Sequence, residues 1–215
     1  MGVNNVNEIK NKVELRYAKE SENESNLSCG NNLSFLELES GDRVLDLGCG
    51  RGIETIDAAK LVGESGKAVG LDLTSNMLNV AEENAKKQNI ANIEFVVGDI
   101  ENLPFENESF NAAMSNCVIN HARDKSRVYQ EIHRVLKDGG KFVVSDAVTK
   151  SPLPESIKND PLQWASCFGG AITEKEYLSS IKKAGFKEIE ILKRREYLKN
   201  GYAFISLTIR AYKAR

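Results

Sequence analysis

The chain has 215 residues, 41% hydrophobic and 28% charged, with a formal net charge of -2. It is long enough to bury one α/β core and not basic enough to seek nucleic acid through charge. No apolar run approaches the ~20 residues of a membrane span and the N-terminus lacks an apolar signal core, so a single soluble, cytoplasmic domain with no membrane partner is expected.

In chain order, Val6, Ile9, Val13 and Tyr17 recur at helical spacing and predict a short amphipathic helix. The stretch SENESNLSCGNN at 21–32 is polar enough to read as a mobile loop, so residues 1–40 are expected to be a helix and lid over a domain spanning 41–215. From Arg43 onward, apolar runs (RVLDLG, KAVGLDL, IEFVVGD, FNAAMSN, KFVVSDAV) alternate with helical segments near 53–62, 76–88 and 124–137. Strand-helix alternation predicts a parallel sheet covered on both faces. Helix starts are marked by Thr74, by Asp124, and by Thr173 with Glu176 as a capping box; Gly139 and Gly140 are read as a helix end. FKEIEIL and AFISLTIRAY predict an antiparallel pair joined by a charged segment at 194–202, with KRREYLK at 193–199 a solvated turn.

RVLDLG runs into Gly48-Cys49-Gly50-Arg51-Gly52 and then a helix, a backbone-lined turn at the sheet edge where such folds bind ligands. A dinucleotide fold would place a third glycine or alanine three residues after the second, and position 53 is Ile. Glycines allow close approach of a ligand, and Asp46 just upstream suits an ammonium group. Asp72, ending the next strand, can accept from two ribose hydroxyls, Met77 can cover an adenine face, and Asp99 can accept from an adenine amino group. Together with the SNCV strand end and RVLKDGGKFVVSD, these pieces resemble the class I S-adenosylmethionine methyltransferases over roughly residues 40–148. The resemblance implies a Rossmann-like α/β fold: a seven-stranded, mostly parallel sheet with an antiparallel C-terminal strand and helices on both faces. It implies S-adenosylmethionine as cofactor, held by Asp46, Gly48, Cys49 and Gly50 of the turn. Asp72, Leu73 and Met77, then Gly98, Asp99 and Ile100, and lastly Asn116, complete the implied set.

The fold leaves the methyl acceptor open. In a reducing compartment the four cysteines, Cys29, Cys49, Cys117 and Cys167, are not a disulfide framework; each alone reads as core filler, and no Cys-x-x-Cys pair favours zinc. Cys49 and Cys117 end strands that this topology makes neighbours, about 5 Å apart, so both can face the donor. Soft thiolates select soft metals and metalloids. SNCVINHARDKSRVYQEIHRVLKDGGKFVVSDAV followed by PLPESIKNDPLQWASCFGGAITEKEYL resembles the arsenite S-adenosylmethionine methyltransferases. That resemblance implies As(III) as substrate, arriving as a thiol conjugate, with Cys117 and Cys167 as ligands. Cys49, in the glycine-rich turn, and Cys29, before GNNL, match two further family cysteines, which would act as ligands or as a redox pair returning electrons from glutathione or thioredoxin. Cys49, Cys117 and Cys167 are thus the expected catalytic cysteines. A methyltransferase for a quinone- or sterol-like acceptor, and a thiol-based metalloid binder without turnover, stay open beside this reading. Packing is the simpler reading of Tyr17, Trp164 and His133, with His121, just past the fourth strand, nearer the site.

Overall fold

The computed structural model describes residues 3–21 and 32–215, with side chains from Glu8 onward in the first stretch. The strands are β1 (Arg43–Leu47), β2 (Lys67–Asp72), β3 (Ile93–Val97), β4 (Phe110–Asn116), β5 (Leu136–Thr149), β6 (Lys187–Lys199) and β7 (Tyr202–Tyr212). They form one seven-stranded sheet in the order β3-β2-β1-β4-β5-β7-β6, with β1–β2, β1–β4, β2–β3 and β4–β5 parallel and β7 antiparallel to both β5 and β6. The expected fold class holds.

Alternate residues of one strand feed two cores. Val44 packs with Ala58, Ala59 and Val62 of α2 (Ile53–Val62) on one face. Leu45 and Leu47 pack with Val128, Tyr129 and Ile132 of α4 (Lys125–Val135) on the other. Each fully buried Leu or Phe in these layers contributes about 1.5–3 kcal/mol, which is why these strands read as continuous apolar runs and not as alternating ones. The remaining helices are α1 (Val3–Glu20), α3 (Ser75–Lys87), α5 (Glu155–Lys158), α6 (Pro161–Ala165) and α7 (Glu174–Lys183). α1 sits where its periodicity predicts, burying Ile9 and Val13 against Trp164 and Ala165 of α6. The capping box of α7 forms as expected: Glu176 N donates to Thr173 Oγ1 and Thr173 N to Glu176 Oε2.

Two expectations are corrected. The helix before β5 ends at Val135, not at Gly139-Gly140, because Leu136 is extended (φ -74°, ψ 140°), fully buried and already paired with Phe110. A buried apolar side chain on a ladder outweighs one more helical turn. The charged run 193–199 is strand, not turn: β6 continues to Lys199 and the hairpin closes through Asn200 (φ 52°) and Gly201 (φ 80°) alone, the left-handed pair of a tight hairpin turn. Its charges suit an edge strand; Arg194 meets Glu174 and Glu196, and Lys150 meets Glu196.

Candidate active site

Because β1 lies between β2 and β4, chain connections leave it in opposite directions and open a crevice at its carboxyl end. The glycine-rich turn forms its floor. Gly48 N and Cys49 N donate to Leu71 O (2.7 and 3.0 Å), and Gly48 carries a left-handed φ of 69° with a notional Cβ only 2.3 Å from Val118 Cγ2. Only glycine fits there. At Gly50 a Cβ would meet nothing within 4 Å, so this part of the turn is open to a ligand.

The crevice encloses about 290 Å³ and is lined by every expected cofactor residue: Asp46, Gly48, Cys49, Gly50, Asp72, Leu73, Met77, Gly98, Asp99, Ile100 and Asn116. Asp72 accepts from Gly50 N (3.0 Å) and Thr74 N (2.9 Å); a carboxylate has about four acceptor positions, so capacity remains for ligand hydroxyls. Asp46 accepts from Thr55 Oγ1 (2.6 Å). Burial pushes its carboxyl up to about 7, with Thr55 opposing and Glu54 and Asp72 adding like charge. A cationic group in the crevice relieves that condition, so the donor set fits a ligand with an ammonium at one end and hydroxyls beyond it. Asp99 is not vacant: Lys10 from α1 pairs with its Oδ2 and with Glu101 (3.5 Å).

Glu54, absent from the sequence reading, lines the crevice too. It accepts from Asn116 Nδ2 (3.1 Å) and Asn32 N (3.3 Å). The signal was an acid in the first turn of α2, which alone reads as a partner of the helix dipole.

Cys49 and Cys117 both line the crevice. Cys49, Cys117 and Cys167 are present as thiols; Cys29 lies outside the described residues. Cys49 Sγ is turned towards β2, where a Cβ on Gly70 would sit 2.8 Å from it, and burial pushes its thiol well above the ordinary range. Cys117 and Cys167, 50 positions apart, meet: Cys167 Sγ lies 3.4 Å from Cys117 O. Both hold a left-handed φ of 59°, a conformation that costs a residue with a Cβ roughly 1–2 kcal/mol.

Around Cys167 stand His121, expected near the site, and Tyr17 and Trp164, whose simpler reading is packing. His121 Nε2 is 3.0 Å from Cys167 Sγ and 3.1 Å from Tyr17 Oη, and His121 Nδ1 is 3.1 Å from Trp164 O. Burial, with Arg16 adding to it, pulls the His121 imidazole down to about 4, so the ring is neutral. The turn Ile119–His121 is itself fixed from below: Asp146 of β5, fully buried, accepts from Asn120 N (3.2 Å), Asn120 Nδ2 (2.7 Å) and Tyr177 Oη (3.2 Å). His133 is elsewhere, edge-on to Phe186, as a packing role requires.

An acid-tipped crevice at the switch point of a 3-2-1-4-5-7-6 sheet defines a class I methyltransferase domain, and the family profile described as "Methyltransferase domain" matches residues 38–185. An arsenite methyltransferase of Halobacterium salinarum is 39% identical over 170 residues, covering 79% of this chain and 44% of its own length. The crystal structure of an arsenic(III) S-adenosylmethionine methyltransferase from Chlamydomonas reinhardtii superposes with a TM-score of 0.79 at 32% identity, over 94% of this chain and 74% of that one. A demethylmenaquinone methyltransferase of Lactococcus lactis is 42% identical, but over 48% of this chain and 41% of its own length. The chain belongs to the arsenite methyltransferase family, and it spans less than half the length of the Halobacterium relative.

Proposed function

We propose that the protein transfers a methyl group from S-adenosylmethionine to trivalent arsenic held by the thiolates of Cys117 and Cys167. The observation that carries this reading is the meeting of those two sulfur-bearing residues at the edge of the acid-lined crevice, Cys117 at its wall and Cys167 against the Cys117 carbonyl. Soft metalloids prefer such ligands, whereas a carbon, nitrogen or oxygen acceptor needs no sulfur.

In this reading S-adenosylmethionine supplies, when bound, an electrophilic methyl group on a cationic sulfonium. Asp46, with Glu54 beside it, would hold the ammonium, Asp72 would accept from the ribose hydroxyls, Met77 and Ile100 would line the adenine end, and Asp99, shared with Lys10, would accept from its amino group. The chain's part in acceleration is positioning and exclusion of water: α1 lies across the crevice, with Lys10, Val13 and Tyr17 among its lining. Residues 41–215 form the catalytic unit in this reading and α1 its cover. Cys49 serves as a wall of the turn, since its buried thiol resists ionisation. Methyl transfer formally oxidises arsenic(III), and the electrons that return it to the trivalent state come from a thiol reductant of the glutathione or thioredoxin kind. No helix among the described residues is long and apolar enough to cross a membrane, and the reducing cytoplasm is the proposed location.

The test incubates the protein with S-adenosylmethionine, glutathione and As(III) and quantifies S-adenosylhomocysteine and methylated arsenic for wild type and Cys167→Ser. Arsenic-dependent turnover that disappears in the variant is expected. Cofactor binding with no arsenic-dependent turnover overturns the reading and moves the search to quinone-like organic acceptors.

A further inference from the structure

His121 stands beside Cys167 and lines the crevice. Its tautomer follows from its neighbours. A backbone carbonyl only accepts, so Nδ1, 3.1 Å from Trp164 O, carries the ring proton. Nε2 therefore presents its lone pair, and it faces two donors, the Cys167 thiol at 3.0 Å and the Tyr17 hydroxyl at 3.1 Å. The thiol has one proton and three acceptors in reach, His121 Nε2 at 3.0 Å, Cys117 O at 3.4 Å and Tyr17 Oη at 3.8 Å. The shortest contact is to the ring. Trp164 O also accepts from Cys167 N (3.0 Å), so one carbonyl fixes both the imidazole and the backbone of the cysteine it faces.

We propose that His121 is the positioning residue of the Cys167 thiol: it accepts the S–H hydrogen bond and sets the orientation of the sulfur that exchanges onto arsenic. This deepens the reading of Cys167 as a metalloid ligand and rests on it. In the exchange, Cys167–S–H and As–X give Cys167–S–As and H–X, where X is hydroxide or the thiolate of the arriving conjugate. The S–H and As–X bonds break, the S–As and H–X bonds form, the thiol proton leaves on X, and arsenic stays trivalent. Tyr17 Oη, 3.8 Å from the sulfur, closes the third side of the cluster.

Two readouts test this without arsenic. The chain has two histidines, so long-range proton–nitrogen NMR on histidine-labelled wild type, assigned with His121→Gln, resolves the His121 tautomer. A proton on Nδ1 is expected; a proton on Nε2 overturns the proposal. The second readout is the alkylation rate of Cys167 by iodoacetamide at about pH 7.5, mapped by mass spectrometry. An acceptor that holds the S–H proton favours the neutral thiol, so His121→Leu is expected to speed it at least about fivefold and His121→Gln, which keeps an acceptor, to leave it within about twofold of wild type. An unchanged rate in His121→Leu overturns the proposal. Should that variant fail to fold, the wild-type tautomer decides. A wild-type protein that behaves as expected in both readouts yet methylates no arsenic overturns the acceptor reading and leaves the positioning of Cys167 standing.

Discussion

Asn32 fastens the segment just before β1 to β4 and β5 of the sheet. It is fully buried; its Nδ2 donates to Ser115 O (2.6 Å), and its Oδ1 accepts from Ser145 Oγ (2.5 Å). Asn32→Ala removes both bonds, worth about 1 kcal/mol each net. It also leaves a small buried void beside the end of β4, adding about 1 kcal/mol. Ser145 keeps Thr208 as a partner at 2.8 Å, which limits the loss. The sum is about 3 kcal/mol, and for a chain of this size each kcal/mol moves the midpoint about 2–4 °C. A fall in Tm of roughly 6–12 °C is therefore expected by circular dichroism. Asn32→Asp should cost at least as much, because a carboxylate would then face the Ser115 carbonyl. A fall of less than about 2 °C in Asn32→Ala would refute the view that this side chain, and not the apolar packing around it, fastens the segment.

Two further outcomes follow from groups already described. With its carboxyl held up at about 7, Asp46 must ionise to receive an ammonium, so affinity for S-adenosylmethionine should fall as pH drops below that value, approaching about tenfold per unit. Calorimetry at several pH values should show the slope in wild type and lose it in Asp46→Asn; an equal slope in both would exclude Asp46 as the source. In the ligand-free protein the sign reverses. A carboxyl whose folded pKa is raised contributes stability that is complete below its unfolded value near 4 and is lost as pH rises through about 7. Asp46→Asn should thus gain stability relative to wild type over that interval. Gly201→Ala places a Cβ in open space at φ 80°, so its cost is conformational alone, about 1 kcal/mol, read as a Tm lower by about 2–4 °C.

The elements that announce themselves in the sequence are those whose cause is local. RVLDLG, IEFVVGD and FNAAMSN are apolar because both sheet faces are covered, and the acids at their ends reach one crevice because parallel strands all end on the same side. The hairpin turn was equally local, in Asn200-Gly201, but the charges of KRREYLK outweighed it in the reading; on an edge strand such charges are ordinary. The site around Cys167 was legible only in part. Cys117 and Cys167 stand out by their surroundings in the chain, yet nothing in VELRYAKE or VINHARDK foretells that Tyr17 and His121 meet a sulfur some 150 and 46 positions away, because long-range packing of α1 and α6 brings them there. Cys49 is legible as a residue of the turn and lines the crevice, but the closeness of its sulfur to Gly70 on β2 is visible only in the fold.

The left-handed backbone at Cys117 and Cys167 bears on how such a site persists. Glycine would occupy either position with no steric penalty, so Cys117→Gly and Cys167→Gly would each relieve the backbone while removing a thiol. In the proposed reading the two ligands are therefore held at some expense in robustness.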